Sequence, residues 1–314
     1  MAPVCYPCKV RTGYEPVPRE ADLSLHYPPR MAVIFLGIDI GGSTVKAAAL
    51  RDGKVLWTAR SLRYSRASTD QLQEAVRQAC EQLHEPVAGV GLCVPGLLDE
   101  KREQITLSVN VPGLVGVPLK ELVAPVAGDG AAPRVVNDAN ATAYDLYMGR
   151  GLSGRLLAIV IGTGVGAAVI DDGGKPLLVD GDSPGHIGQI DVSIDGAPVV
   201  GPDGGRGSLE GYLGAPALRA RYGSNPSEKI RPRDPAARAL VRAVRIAHAV
   251  YRPHHVCIAG GTGIRLARLL PALRQRIAEE LTSVARTEWT FTTATSDFHA
   301  ATGAARIAAR GQWP

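Results

Sequence analysis

Residues 35–56 read FLGIDIGGSTVKAAALRDGKVL, and residues 156–177 read LLAIVIGTGVGAAVIDDGGKPL. Each passes from an apolar strand through a Gly, Ser or Thr turn into a small-residue strand, and each then turns through Asp and Gly before Lys54 or Lys175. Apolar runs of this length bounded by turn residues read as buried strands. Two copies of one β-hairpin predict duplicated α/β lobes, each with its own sheet, facing one another across a cleft. A single dinucleotide-binding sheet would not show such a repeat.

The glycine-rich turn within residues 37–46, GIDIGGSTVK, has a narrow reading. A dinucleotide fingerprint needs a helix after its glycines, and a P-loop ends in Gly-Lys-Ser/Thr. Here another strand follows Gly41 and Gly42, so the turn is a hairpin tip whose successive N–H groups can form an anion nest. Asp39 stands beside it, placed to hold magnesium through water.

Working outward, MAVIFLGIDI, TVKAAALRDG and KVLWTARSLR predict a three-stranded meander from Met31. Leu72, Ala75, Val76, Ala79 and Leu83 have helical spacing over residues 69–83. VAGVGLCVPG and RVVNDA read as short strands, and residues 139–148 as a helix. After the second hairpin come a helix over 235–250, a strand, glycine turn and helix within HHVCIAGGTGIRLARLL, and a last alanine-rich helix over 296–309. Helices follow strands in both halves, as in α/β domains. The expected division is a tail over 1–30, a lobe over 31–145 and a lobe over 146–314, with the last helix a candidate to return to the first lobe.

Composition narrows the function classes. An apolar content of 45% in 314 residues is ample for a packed core, so a disordered chain is not expected. The net charge of +5 invites anionic ligands, but the arginines interleave with acids and no aromatic platform accompanies them. No nucleic-acid partner is expected. Five cysteines, three of them in apolar segments, suit a reducing compartment. No run approaches the length of a membrane span and the N-terminus lacks a signal-peptide core, so neither a membrane partner nor export is expected and cytoplasmic is the default. Cys5 and Cys8 form a lone pair without the second pair that structural zinc requires.

Six segments in order, GIDIGGSTVKAAAL, NVPGLVGVPL, VVNDANATAYDLYMGRG, AIVIGTGVGAAVI, GSLEGYLG and VCIAGGTG, closely resemble the ROK family of sugar kinases and related repressors across residues 33–310. The resemblance implies a two-lobed actin-like ATPase (ribonuclease H-like) fold that phosphorylates a sugar hydroxyl with ATP and magnesium, in a homodimer. It assigns Asp39, Gly41, Gly42, Ser43, Thr44 and Lys46 to the first phosphate loop and Gly162, Thr163, Gly164 and Gly166 to the second. Gly260, Gly261 and Gly263 would shape the adenosine pocket. Asp138, at a strand end, would be the general base that accepts the hydroxyl proton; a helix N-cap is its other reading, and both roles can coexist. Asn110, Asn137, Asp138 and Glu210 match the family's sugar contacts, although Asn110 before a Val-Pro turn also suits a turn role.

Two departures stand out. The family's zinc cluster, one His and three Cys, is replaced: aligned on Glu210, the cysteine positions become Gly201, Asp203 and Ser208, and no zinc is expected. Aligned on the repeated Gly and Ile of GHIGQI, the family's sugar-binding Glu becomes His186 and its zinc-binding His becomes Gln189. A second register would put His186 at that His and Ser183 at that Glu. In the first register His186 faces the acceptor, which puts glucose in doubt and favours a different, even anionic, substituent. Polyphosphate in place of ATP, and a sugar sensor or repressor without turnover, remain alternatives; the first 30 residues do not supply the helix-turn-helix a repressor needs.

Overall fold

The protein is described by a computed structural model that covers residues 33–108, 111–127, 132–179, 184–196, 198–202 and 204–311. The expected tail with Cys5 and Cys8, together with Asn110, Ser183 and Asp203, lies outside the described residues.

Elements follow in the order β1 (Ile34–Ile40), β2 (Val45–Arg51), β3 (Lys54–Arg60), α1 (Thr69–Ala79), β4 (Val87–Cys93), β5 (Leu97–Leu98), β6 (Ile105–Leu107), α2 (Leu119–Ala127), β7 (Arg134–Val136) and α3 (Asp138–Gly149). The remainder comprises β8 (Leu156–Ile161), β9 (Val165–Ile170), α4 (Leu209–Leu213), α5 (Ala215–Tyr222), α6 (Pro226–Lys229), α7 (Pro235–Tyr251), β10 (His255–Ala259), α8 (Gly260–Gly263), α9 (Leu270–Glu280), β11 (Thr290–Thr293) and α10 (His299–Arg310).

Both hairpins form, each in its own sheet. One sheet has five strands in the order β3-β2-β1-β4-β7 and the other has four in the order β11-β10-β8-β9. In each, the hairpin is antiparallel while the strand on its far side runs parallel, β4 beside β1 and β10 beside β8. The repeat is incomplete. Where Lys54 opens β3, Lys175 is followed by Pro176, which makes only an isolated bridge to Ile170. The bridge is flanked by Asp171 N–H to Lys175 C=O at 2.7 Å and Leu177 N–H to Val169 C=O at 2.8 Å.

Helix ends shift from the sequence expectation. The first helix stops at Ala79 rather than residue 83, and its start carries a Ser68–Gln71 capping box. The last helix begins at His299, not 296, because Ser296 Oγ accepts from the Phe298 N–H and holds a turn before it. The glycine turn after β10 is itself the short helix α8.

Two helices occupy the layer between the sheets. From Ala139 to Tyr147 every residue of α3 is buried. Ala139, Ala143, Leu146 and Tyr147 pack with β8 and β9, while Ala141 and Tyr144 pack with Cys93, Val136 and α10. Helix α10, last in the chain, lies on the first sheet, with Ala301 and Ala305 against Ala48 and Leu50. The approach is close: a Cβ at Gly37 or Gly91 would fall 1.8 or 2.1 Å from the carbonyl oxygens of Ala301 and Ala304, so both strands need glycine there.

Candidate active site

Strand ends and hairpin tips converge on one cleft. Its larger chamber, about 440 Å³, is lined by Asp39, the Gly41–Thr44 turn, Lys46, Asn137, Asp138, Gly162–Gly166, Glu210, Gly260 and Gly261. A smaller chamber of about 160 Å³ is lined by Asn137, Asp138, Ala139, Val165, Gly166, Gly185, His186, Gln189 and Glu210, among others. Asn137, Asp138, Val165, Gly166 and Glu210 line both. The two chambers therefore meet at Asp138.

The first tip is built from β1 and β2, where Asp39 and Lys46 are register partners. Lys46 Nζ stands 3.5 Å from Asp39 Oδ2. Burial pushes the Asp39 carboxyl above its ordinary range, and Lys46 pulls it part of the way back. The turn closes through Gly41 N–H to Thr44 C=O at 3.1 Å. Tyr64 clamps it from behind, its hydroxyl donating to Gly41 C=O at 2.6 Å and its N–H to Ser43 C=O at 3.0 Å.

The second tip is held from the α4 side. The Val165 N–H donates to Glu210 Oε2 at 2.8 Å, and the Ala215 N–H to Gly162 C=O at 3.0 Å. Glu210 is itself placed by Ser208, the buried N-cap of α4, whose hydroxyl accepts from Gly211 N–H at 3.1 Å. After β10, Gly260 has φ +81°, and a Cβ there would meet the Ile161 carbonyl oxygen at 2.5 Å. Gly263 is different. It is buried, lines neither chamber, and packs below β10 against Ile258.

Asp138 is the first residue of α3, and the cap is its neighbour. Asn137 Oδ1 accepts from Ala139 N–H at 2.9 Å and Asn140 N–H at 3.3 Å. The capping reading thus belongs to Asn137 rather than Asp138, which leaves the Asn137 amide NH₂ for a ligand. One Asp138 oxygen also accepts from Ala139 N–H at 2.7 Å. His186 and Gln189 are exposed on either side of a single 3-10 turn over Ile187–Gln189.

Of the three positions aligned with the family's zinc cysteines, Gly201 and Ser208 lie among the described residues. Gly201 offers no side-chain donor and the Ser208 hydroxyl is committed to its cap; among the described residues, no three His, Cys, Asp or Glu gather as a metal group. Backbone bonds hold this segment instead, including Val192 N–H to Gly207 C=O at 2.9 Å, Leu209 N–H to Ile190 C=O at 3.2 Å and Gly207 N–H to Val199 C=O at 2.7 Å.

Several cleft residues carry no local sequence signal. Arg60 Nη2 lies 2.9 and 3.1 Å from the two Asp297 oxygens, across 237 positions of sequence, and its guanidinium rests over Phe298. Arg63, Arg219, Arg265, Thr142 and His299 also line the larger chamber. Only the packing of distant segments identifies them.

The ROK family profile matches residues 35–310. The chain belongs to the ROK family. It is 27% identical to the N-acetyl-D-glucosamine kinase of Erwinia tasmaniensis over 286 residues, 81% of this chain and 92% of that protein. It is 32% identical to an N-acetylmannosamine kinase of Salmonella paratyphi A over 168 residues, 53% of this chain and 56% of that one. Among solved structures, a ROK family glucokinase from Streptomyces griseus in complex with glucose and AMPPNP superposes with a TM-score of 0.68 at 23% identity, covering 88% of this chain and all of that one. The ROK member thus has the two-lobed actin-like ATPase fold that the family resemblance implies.

Proposed function

We propose that this ROK protein transfers the terminal phosphoryl group of ATP to a hydroxyl of a hexose or N-acetylhexosamine. The carrying observation is that Asp138 lines both chambers, as Glu210 also does, which supports a carboxylate facing both an acceptor and a donor. The larger chamber, with both glycine tips, suits a polyphosphate; the smaller, ringed by Asn137, His186, Gln189 and Glu210, suits a polyol. An acetamido sugar leads the candidates because the relative aligned over most of this chain is named for one.

In the reaction, the acceptor O–H proton passes to an Asp138 oxygen as the new O–P bond forms and the bond to the leaving diphosphate breaks. Asn137 and Glu210 orient the acceptor, and backbone N–H groups of the two tips cradle the phosphates. The buried Asp39 carboxylate fits a magnesium ion held through water, which would neutralise phosphate charge. His186 sets acceptor preference.

The test is ADP release over a panel of neutral, amino, N-acetyl and acidic sugars, repeated with Asp138→Asn. Turnover with at least one sugar is expected, falling on the order of 10²-fold or more in the variant. No ADP from any sugar would instead support a sensor. His186→Glu should reorder the sugars while leaving the KM for ATP unchanged. One observation favours a second donor: Lys46, Arg63, Arg219 and Arg265 all line the larger chamber, a lining that also fits inorganic polyphosphate. Side-by-side kinetics with the two donors separate the readings.

A further inference from the structure

Asp145 is a charged residue buried in the layer between the two sheets. From the second turn of α3 it reaches two side chains of α10: His299 Nδ1 lies 2.6 Å from Oδ2, and Arg306 Nε lies 2.6 Å from Oδ1. A carboxylate has no proton to give, so the ring must donate through Nδ1–H. Arg306 Nη1 also donates to Gly53 C=O, 3.0 Å away at the tip between β2 and β3. His299 is the first residue of α10 and forms part of the larger chamber's wall, with Thr142 of α3. Its Nε2 is buried without a hydrogen-bond partner among the described residues. The ring is therefore oriented from the Asp145 side.

The rest of the contact between these helices is apolar, with Tyr144 and Ile307 beside small residues. Ala141, Ala300 and Ala304 meet there, and Gly303 comes so close that a Cβ on it would lie 1.9 Å from the Ala141 carbonyl oxygen. Small residues around Gly303 permit close approach, and apolar packing by Tyr144 and Ile307 is non-directional. Charge-assisted bonds are directional, and fixing register is the best-attested use of a buried polar group. The helix held in this way begins with Asp138.

We propose that Asp145, through His299 and Arg306, is a positioning residue for phosphoryl transfer: it holds the helix that bears Asp138 in register with the helix that forms the chamber wall. The inference rests on Asp138 being the base. A base displaced by about 1 Å can lose two orders of magnitude in rate while ligand contacts elsewhere persist.

The experiment compares Asp145→Asn, His299→Ala and His299→Asn in the full chain. It measures kcat, both KM values, the melting transition, and amide hydrogen exchange over residues 139–142. Asp145→Asn and His299→Ala should lower kcat about tenfold or more with KM for ATP within about threefold, and exchange in the first turn of α3 should quicken. His299→Asn keeps a side-chain N–H near the Nδ1 position and should recover most of both losses. Folded variants with kcat within twofold of wild type would overturn the proposal and leave the cluster a stability role. So would His299→Asn behaving like His299→Ala in both readouts. If the wild type phosphorylates no sugar, the proposed activity falls and exchange alone decides: quickened exchange that His299→Asn reverses sustains the positioning role, and unchanged exchange overturns it.

Discussion

The two hairpin tips share a backbone and differ in charge. In the first, Asp39 pairs with Lys46 one step before the end pair Ile40 and Val45; in the second, the corresponding pair is Val160 with Gly166, one step before Ile161 and Val165. The first tip thus carries its own carboxylate and ammonium. The second carries neither and takes its charge from Glu210, 45 positions after the Val165 N–H it accepts from. Under the proposed function the first tip would bring fixed charge to the phosphates, and the second backbone dipoles and a carboxylate that also lines the smaller chamber. The first arrangement is costly. Burying a carboxylate costs several kcal/mol, offset in the same strand by Leu36, Ile38 and Ile40, each worth roughly 1.5–3 kcal/mol when buried.

That contrast is sharpest at Asp39. Asp39→Asn should lower kcat on the order of 10²-fold, as removal of a fixed electrostatic group in an active site does, while the melting temperature at neutral pH holds or rises. The sign follows from its raised pKa. The folded state binds the proton more tightly, so stability is full below the unfolded pKa and is lost as pH rises through the folded one. A fall in melting temperature at neutral pH would show that the Lys46 pair outweighs desolvation.

Breaking the borrowed charge should cost less. Glu210→Ala leaves the Val165 N–H without its acceptor, a loss of about 1–3 kcal/mol, and should lower kcat/KM for both donor and acceptor roughly tenfold or more. An effect on the acceptor alone would mean that Glu210 does not support the second tip. The clamp behind the first tip comes next. Tyr64→Phe removes the hydroxyl bond to Gly41, worth about 1 kcal/mol, and should raise KM for ATP about fivefold with the sugar KM unchanged; equal shifts in both would remove the distinction between the tips.

The smallest effect is in the pH profile. Lys46→Met removes the charge that draws the Asp39 carboxyl down, so the pH at which activity falls on the acid side should move upward. The role proposed for Asp39 needs its ionised form, which would be lost as pH drops through a pKa that is now higher. An acid limb that stays in place would assign it to another group.

Strand and turn chemistry made much of this legible. Apolar runs bounded by Gly, Ser and Thr place both hairpins, and α3 was read to within one residue at each end because its buried run is bounded by Asn137 and Arg150. The alternative N-cap reading of Asp138 falls to Asn137, since Asn and Asp are equally good caps and only the backbone shows which one precedes the helix.

The sequence alone determined the two tips and the turn from strand to helix at Asp138, which depend on neighbours within a few residues, and the order of six such segments carries the family. Tertiary structure decided what joins them. Glu210 under the second tip, Arg60 on Asp297, Tyr64 behind Gly41 and Asp145 between His299 and Arg306 are partners across 23 to 237 positions. Which distant side chains meet depends on how whole sheets and helices pack, and local periodicity does not encode that pairing.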